Sequence, residues 1–255
     1  GTNNVAVGKS ALTANTTASN NIAIGLDSMC VNQTGIKNVA MGTDTLRNST
    51  GSANTAIGYL SLAANTSASN NTAVGTQALC KNTTGATNSA LGGNALCANT
   101  EGTGNTGVGY DALLLNTTAS NNTAMGLNAL RANTTGCRNT AVGTNALDTN
   151  TTGINNAAFG CGALCTATNA ANNVSIGSQT MRATTTGGCN TAVGYAALVS
   201  NTDGHSNVAV GCGALDGNQT GDENTAVGFK SLMTGTDVKR NVAIGCHALC
   251  ANTAN

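Results

Sequence analysis

Ten cysteines, two histidines and ten carboxylates are the side chains able to do chemistry in this 255-residue chain. Cys80 and Cys97 are 17 residues apart, while Cys161 and Cys165, and Cys246 and Cys250, are each four apart. Any of these pairs could bridge if the fold brings its Cα atoms to about 4.4–6.8 Å, and a bridge would imply an oxidising compartment. Cys246, His247 and Cys250 offer three zinc-ligand types. A fourth ligand is missing, however, and neighbouring residues on a strand point to opposite faces, so no metal site is expected. The carboxylates Asp27, Asp44, Glu101, Asp111, Asp148, Asp203, Asp216, Asp222, Glu223 and Asp237 fall at unrelated positions. General acid–base catalysis needs convergence in a cleft, so neither an enzyme nor a cofactor is expected.

The cysteines follow a repeat that runs the length of the chain. The pattern Asn-x-Ala-apolar-Gly recurs with its glycine at Gly8, Gly25, Gly42, Gly58, Gly75, Gly92, Gly109, Gly126, Gly143, Gly160, Gly177, Gly194, Gly211, Gly228 and Gly245. Every step is 17 residues except that from Gly42 to Gly58, which is 16. There Arg47-Asn48-Ser49-Thr50-Gly51 brings the Asn one place early, which predicts a residue lost from a turn. A strand could not absorb that loss without reversing its faces.

With this glycine as position 0, position −4 is invariant: Asn4, Asn21, Asn38, Asn54, Asn71, Asn88, Asn105, Asn122, Asn139, Asn156, Asn173, Asn190, Asn207, Asn224 and Asn241. Position +4 is Leu12, Leu46, Leu62, Leu79, Leu96, Leu113, Leu130, Leu147, Leu164, Leu198, Leu215, Leu232 and Leu249, with Met29 and Met181 in the other two units. Ala dominates −2, and −1 is always apolar, as in Val7, Ile24, Met41, Phe159 and Ile244. Positions −2, −1 and +4 are expected to form buried ladders. The invariant Asn is expected to bond its amide to the Asn above and below while capping a corner. Cys80, Cys97, Cys165 and Cys250 all stand at +5, with Cys161 and Cys246 at +1.

Between +7 and +10 the usual sequence is Asn-Thr-Thr-Gly, as at Asn82-Thr83-Thr84-Gly85. Such a segment turns the chain through side-chain-to-backbone hydrogen bonds and a permissive glycine. A 17-residue unit with a central glycine and this turn leaves no room for a helix of ordinary length, so each unit reads as strand, bend, strand, turn. A unit this short cannot bury its own face, and stacking coil upon coil does. The fold class expected is therefore all-β: a β-solenoid of fifteen 17-residue coils in a single continuous repeat domain. At about 4.8 Å per coil it would be a rod on the order of 70 Å long.

Composition excludes several functions. The formal net charge is zero and only 8% of residues are charged, so no polybasic partner surface is present. Aromatics are 2%, which leaves no stacking platform for nucleic acid. No run approaches the roughly 20 apolar residues of a membrane helix, so membrane insertion is not expected.

Consecutive Thr at +8 and +9 suggest an ice-binding rank, but neighbours such as Thr151 and Thr152 would point opposite ways on a strand. Sequons recur at Asn15, Asn32, Asn48, Asn65, Asn82, Asn116, Asn133, Asn150, Asn173 and Asn218, and could carry glycans in a eukaryotic secretory pathway. His205, in a turn, reads as a solvated surface residue. Variation gathers at +1, +2, +5 and +11, including Lys9, Arg47, Tyr59, Tyr110, Arg131, Arg182, Tyr195 and Phe229. A sister chain or a receptor would be met there.

The strings Asn4-Val5-Ala6-Val7-Gly8, Asn21-Ile22-Ala23-Ile24-Gly25 and Asn241-Val242-Ala243-Ile244-Gly245 resemble the head repeat of trimeric autotransporter adhesins of the YadA type. The full unit running from Asn71 to Gly85 is similar to repeats of bacterial surface fibres and phage tail-fibre proteins, which often precede an endosialidase-type chaperone domain. The resemblance implies a left-handed β-roll, a trimer and an extracellular attachment fibre at a cell surface or on a virion, with a cell-surface receptor or glycan as target. The adhesin unit is about three residues shorter, and no chaperone domain, coiled-coil stalk or anchor accompanies the repeats. Gly1 and Asn255 both fall at +10, so the chain starts and stops in one phase with no caps. That suggests a segment of a longer fibre or the subunit of a head-to-tail filament, and a chain that is not a stable monomer.

Overall fold

The computed structural model describes residues 1–251; Asn255 lies outside the described residues. The chain divides into two compact units, residues 1–122 and residues from 123 onward. The first carries β1 (Val5–Val7), β2 (Ile22–Ile24), β3 (Val39–Met41), β4 (Thr55–Ile57), β5 (Thr72–Val74), β6 (Ser89–Leu91) and β7 (Thr106–Val108). The second carries β8 (Thr123–Met125), β9 (Thr140–Val142), β10 (Ala157–Phe159), β11 (Val174–Ile176), β12 (Thr191–Val193), β13 (Val208–Val210), β14 (Thr225–Val227) and β15 (Val242–Ile244). Within each unit successive strands pair in parallel and in register, Ala6 against Ala23 in the first and Ala141 against Ala158 in the second. Each unit is thus a parallel β-solenoid with one three-residue strand per coil. No helix occurs among the described residues, and none is long and apolar enough to cross a membrane.

The alternation of a strand fixes which residues it buries. In every coil but the first, whose Ala6 is exposed, the central residue at −2 is buried, whether Ala or its replacements Gly107 and Ser175. Residues at −3 and −1 must then point outward. The apolar −1 position, expected in the core from its composition, is exposed instead: Val7 at 56%, Leu91 at 52% and Ile244 at 71%. The interior is built from Ala at −2, small residues at +3 and Leu or Met at +4, with Ser175 Oγ donating to Thr180 O at 3.0 Å. Leu249, in the last described coil, is the exception in the Leu ladder, 48% exposed because no described coil covers it.

The second strand expected in each unit is absent among the described residues. From 0 to +5 the chain runs in successive tight turns, such as Ala78 N to Gly75 O at 3.3 Å and Asn82 N to Leu79 O at 3.1 Å. Positive φ recurs at +2 and +4, and every Leu and Met of the +4 ladder has φ between 46° and 55°. A left-handed Leu costs roughly 1–2 kcal/mol. Burial of the side chain, and the coil-to-coil bonds flanking it, such as Leu79 N to Ala95 O at 3.0 Å, hold it there. The central glycine is required twice over. Gly75 has φ +136°, and a Cβ on it would lie 2.4 Å from the Gly92 carbonyl oxygen of the next coil.

Two columns of Asn replace the single ladder expected. In the −4 column Asn71 Nδ2 donates to Gly85 O at 3.0 Å across its own coil, and Asn71 Oδ1 accepts from Asn88 N at 2.9 Å in the next. The main link is thus amide oxygen to backbone N–H. Amide-to-amide bonds join only some neighbours, such as Asn173 Nδ2 to Asn156 Oδ1 at 3.1 Å. Only a side chain with one donor and one acceptor on the same short stem serves both partners, which accounts for fifteen Asn without an Asp or Ser. The +7 column is equally buried: Asn82 Nδ2 donates to the same Gly85 O at 2.9 Å and to Asn65 Oδ1 at 3.0 Å. Both columns therefore converge on the +10 carbonyl and clamp the corner.

The short coil confirms that the missing residue comes from the turn. Ser49, and not Asn48, takes the buried +7 place: Asn65 Nδ2 donates to Ser49 Oγ at 2.9 Å, and Gly51 N donates to Ser49 Oγ at 3.2 Å. Asn48 is pushed to the surface. Strands β3 and β4 keep full register, Ala40 against Ala56.

Candidate functional site

The outward rows at −3 and −1, extended by +1 beyond the glycine, make one continuous feature on each unit. Of the exposed large apolar side chains, all except Val31, Ile36, Leu115 and Leu249 stand at −3, −1 or +1. On the first unit the stripe includes Ile22, Met41, Ile57, Tyr59, Leu91 and Tyr110; on the second, Met125, Leu127, Phe159, Ile176, Tyr195 and Phe229. Parallel in-register pairing stacks the −1 row at about the strand spacing of 4.8 Å, so its exposed residues become an apolar band, beside a −3 row in which Thr and Ser are frequent and isolated large apolar residues at +1. Contiguous apolar surface of this kind marks an interaction face, whereas scattered exposed residues do not. The sequence reading found part of it, at Tyr59, Tyr110, Tyr195 and Phe229, and missed the −1 row by placing it in the core.

All ten cysteines are unbridged. Cys80 and Cys97 stand in adjacent coils with their sulfurs 3.7 Å apart. Cys161 is exposed and Cys165 half-buried, with the Cys165 thiol directed at Arg182 O at 3.9 Å; burial pushes that thiol's pKa up. Cys246 is exposed and Cys250 half-buried, and the intervening His247 packs edge-on to Phe229 with ring centroids 5.3 Å apart. Among the described residues no three metal-ligating side chains converge.

His205 is more than a solvated turn residue: its Nδ1 accepts from Gly188 N at 2.9 Å and its backbone N donates to Asp222 Oδ1 at 2.8 Å. Apart from the consecutive Asp222 and Glu223, the carboxylates are spread along the coils. Asp148 meets Arg131 at 2.8 Å and Glu223 meets Arg240 at 2.8 Å, both coil-to-coil pairs near the surface. A surface depression of about 430 Å³ is lined by Thr166, Arg182, Ala183, Val199, Ser200, Thr202 and Gln219, which provide neither a nucleophile–base pair nor paired carboxylates.

The remaining surface candidates are taken up by the coil itself. Asn32, Asn65, Asn82, Asn116, Asn133, Asn150, Asn173 and Asn218 are fully buried. Their side-chain Nδ2 donates to backbone carbonyls, as Asn133 does to Gly136 O and Asn218 to Gly221 O, so a glycan there is incompatible with the folded coil. Asn48 is a sequon with an exposed side chain, as are Asn70 and Asn121 in the Asn-Asn-Thr strings at 70–72 and 121–123. The +8 threonines donate along the stack, Thr66 Oγ1 to Thr83 O and Thr83 Oγ1 to Thr100 O, each at 3.0 Å. Those hydroxyls serve the neighbouring coil and form no free rank.

Coils, ladders and outward band together define a parallel β-solenoid repeat protein. No protein-family model matches the chain, and no curated protein matches it at a significant level.

Proposed function

We propose that this chain is structural: the rigid shaft of an extracellular attachment fibre, in which copies associate through the apolar band at −3, −1 and +1. The observation that carries the reading is the confinement of most exposed large apolar side chains to three positions of the repeat, −3, −1 and +1. A face this apolar is costly to leave in water and is covered by a second copy of the same face at no cost in matching. The trimer and the extracellular setting come from the resemblance to adhesin-head and tail-fibre repeats. The reading assigns no catalytic role to the carboxylates. Contact with a cell-surface receptor or glycan falls to the exposed tyrosines Tyr59, Tyr110 and Tyr195.

Cryo-electron microscopy of the native material, with sedimentation of the purified chain, tests this. Three chains joined along their sheet faces are expected. A single-chain stack extending coil on coil would instead make the protein the subunit of a head-to-tail filament, and a monomer with a bare face would overturn self-association.

One observation favours a second reading. Thr55, Thr72 and Thr106 at −3 stand on the outward face beside the aliphatic Ile57, Val74 and Val108 at −1, a regular hydroxyl-and-methyl surface of the type that orders water. Met41, Leu91 and Phe159 roughen it. An ice-recrystallisation assay separates the two: inhibition by the undisturbed chain supports ice binding, and its absence supports the fibre.

A further inference from the structure

Cys80 and Cys97 occupy the same position, +5, in adjacent coils of the first unit. Their backbones are pinned by coil-to-coil bonds on either side, Leu79 N to Ala95 O and Lys81 N to Cys97 O, each 3.0 Å. The Cys97 thiol donates to Cys80 Sγ at 3.7 Å, and both side chains are half-buried. Among the described residues this is the pair of cysteines whose sulfurs meet. In the same row the neighbouring coils present the apolar Ala63 and Leu114, while Lys81 and Asp111 lie close enough to act on the pair's charge. In-register stacking puts the two Cα atoms near 4.8 Å, inside the Cα range a disulfide spans, so that the sulfurs need close by less than about 2 Å to bond.

We propose that Cys80 and Cys97 are a reactive dithiol, oxidised by small disulfides such as glutathione disulfide to a covalent staple between two coils, with Cys80 attacking and Cys97 resolving. The Cys80 thiolate attacks one sulfur of the small disulfide, forming a mixed disulfide and expelling one glutathione thiolate. Cys97 then loses its proton to solvent and attacks the Cys80 sulfur, expelling the second. Two protein thiols are oxidised, one glutathione disulfide is reduced to two glutathiones, and the two protons released from the protein end on the departing thiolates. The order of attack follows from the hydrogen bond: Cys97 donates to Cys80, which lowers the Cys80 thiol pKa to about 7 and raises that of Cys97. Lys81 beside the pair favours the Cys80 thiolate further.

The test uses the full chain, fully reduced, then exposed at pH 7 to graded ratios of reduced and oxidised glutathione, quenched with an alkylating agent and read by peptide mass mapping. A linkage between the Cys80 and Cys97 peptides is expected at ratios that leave Cys30 and Cys165 free to alkylate. Brief alkylation should modify Cys80 roughly fivefold faster than Cys30, the balance of a larger thiolate fraction against a weaker nucleophile. Cys97→Ser should trap Cys80 as its glutathione adduct, and Cys80→Ser should slow reaction at Cys97, both with the thermal midpoint checked to show an intact fold. Equal reactivity of Cys80 and Cys30, or failure of the Cys80–Cys97 linkage to form ahead of the other cysteines, would overturn the proposal.

Discussion

Asn150 and Ala167 occupy the same +7 position in adjacent coils, and the buried Asn150 Oδ1 has no partner because the alanine offers no donor. Where the next coil carries Asn its amide can fill that role, as Asn99 Nδ2 does for Asn82 Oδ1 at 2.8 Å, whereas Asn32 Oδ1, next to Ser49, accepts from Gly35 N at 2.9 Å. Asn218 is orphaned in the same way, because the next coil has Gly235 at +7. An unsatisfied buried acceptor costs about 1–3 kcal/mol. Ala167→Asn should therefore stabilise the chain by about 1 kcal/mol, with the new amide bridging Asn150 and the Ala170 carbonyl, seen as a higher urea midpoint at unchanged slope. A lower midpoint would mean that the column at Ala167 lacks room for the amide.

Removing an inner amide should cost more. Asn71→Ala leaves Asn88 N–H without its acceptor and Gly85 O with one donor fewer, both in the interior. A loss of about 2–4 kcal/mol is expected in urea unfolding. Asn71→Asp keeps the shape but removes the donor and buries a charge, so it should be the worse variant at pH 7 and recover as the pH is lowered and the carboxyl protonates.

Glycines one residue apart should respond differently. Gly92→Ala sets a Cβ 2.5 Å from the Gly109 carbonyl oxygen at φ +136°, and should destabilise by more than about 3 kcal/mol or prevent folding. At Gly93 a Cβ would meet only the Tyr110 ring, at 3.2 Å, and the exposed ring can give way. Gly93→Ala is expected to change stability by less than about 0.5 kcal/mol in the same measurement.

The outward band can be altered without touching the core. Ile57→Lys with Leu91→Lys replaces two exposed side chains at −1, so the thermal midpoint should stay near that of the unaltered chain. Sedimentation should show association lost or weakened. Unchanged association would exclude this face as the contact between copies.

Asp216 gives the pH dependence a sign. Desolvation raises its carboxyl pKa, partly offset by Lys230. A raised pKa in the fold means that its contribution to stability is fully present below the unfolded carboxylate pKa and lost as pH rises through the folded value. Asp216→Asn should thus stabilise the chain at neutral pH relative to the parent, with the difference vanishing in acid. Thermal melts at pH 3 and pH 7 would show it, and a difference that grows in acid would reverse the assignment.

How much of this was legible in the sequence depended on how narrowly each position constrains its residue. The 17-residue period, the inward Ala at −2, the Leu at +4 and the inner Asn could be read because each has few substitutes. Val7, Leu91 and Ile244 misled because residues with high strand propensity look the same on either face of a short strand, and only register decides between them. The turns through Leu79 and Leu113 were taken for strand because Leu is a poor left-handed residue and leaves no signature of that conformation. The outer Asn column passed for ordinary turn chemistry, its stacking obscured where Ser49, Ala167, Thr184 and Gly235 interrupt it. The outward band emerged only once these rows had been assigned to faces.

The 16-residue coil between Gly42 and Gly58 bears on how such a chain changes over generations. Strands β3 and β4 stay in register across it, and within each unit most coils pass to the next the same backbone donors and acceptors they receive. Slippage or unequal exchange in the gene that adds or removes whole coils within a unit would therefore leave most junctions unchanged. The number of coils can then change by mutation with few contacts redesigned, so it is a trait on which selection can act almost independently of foldability.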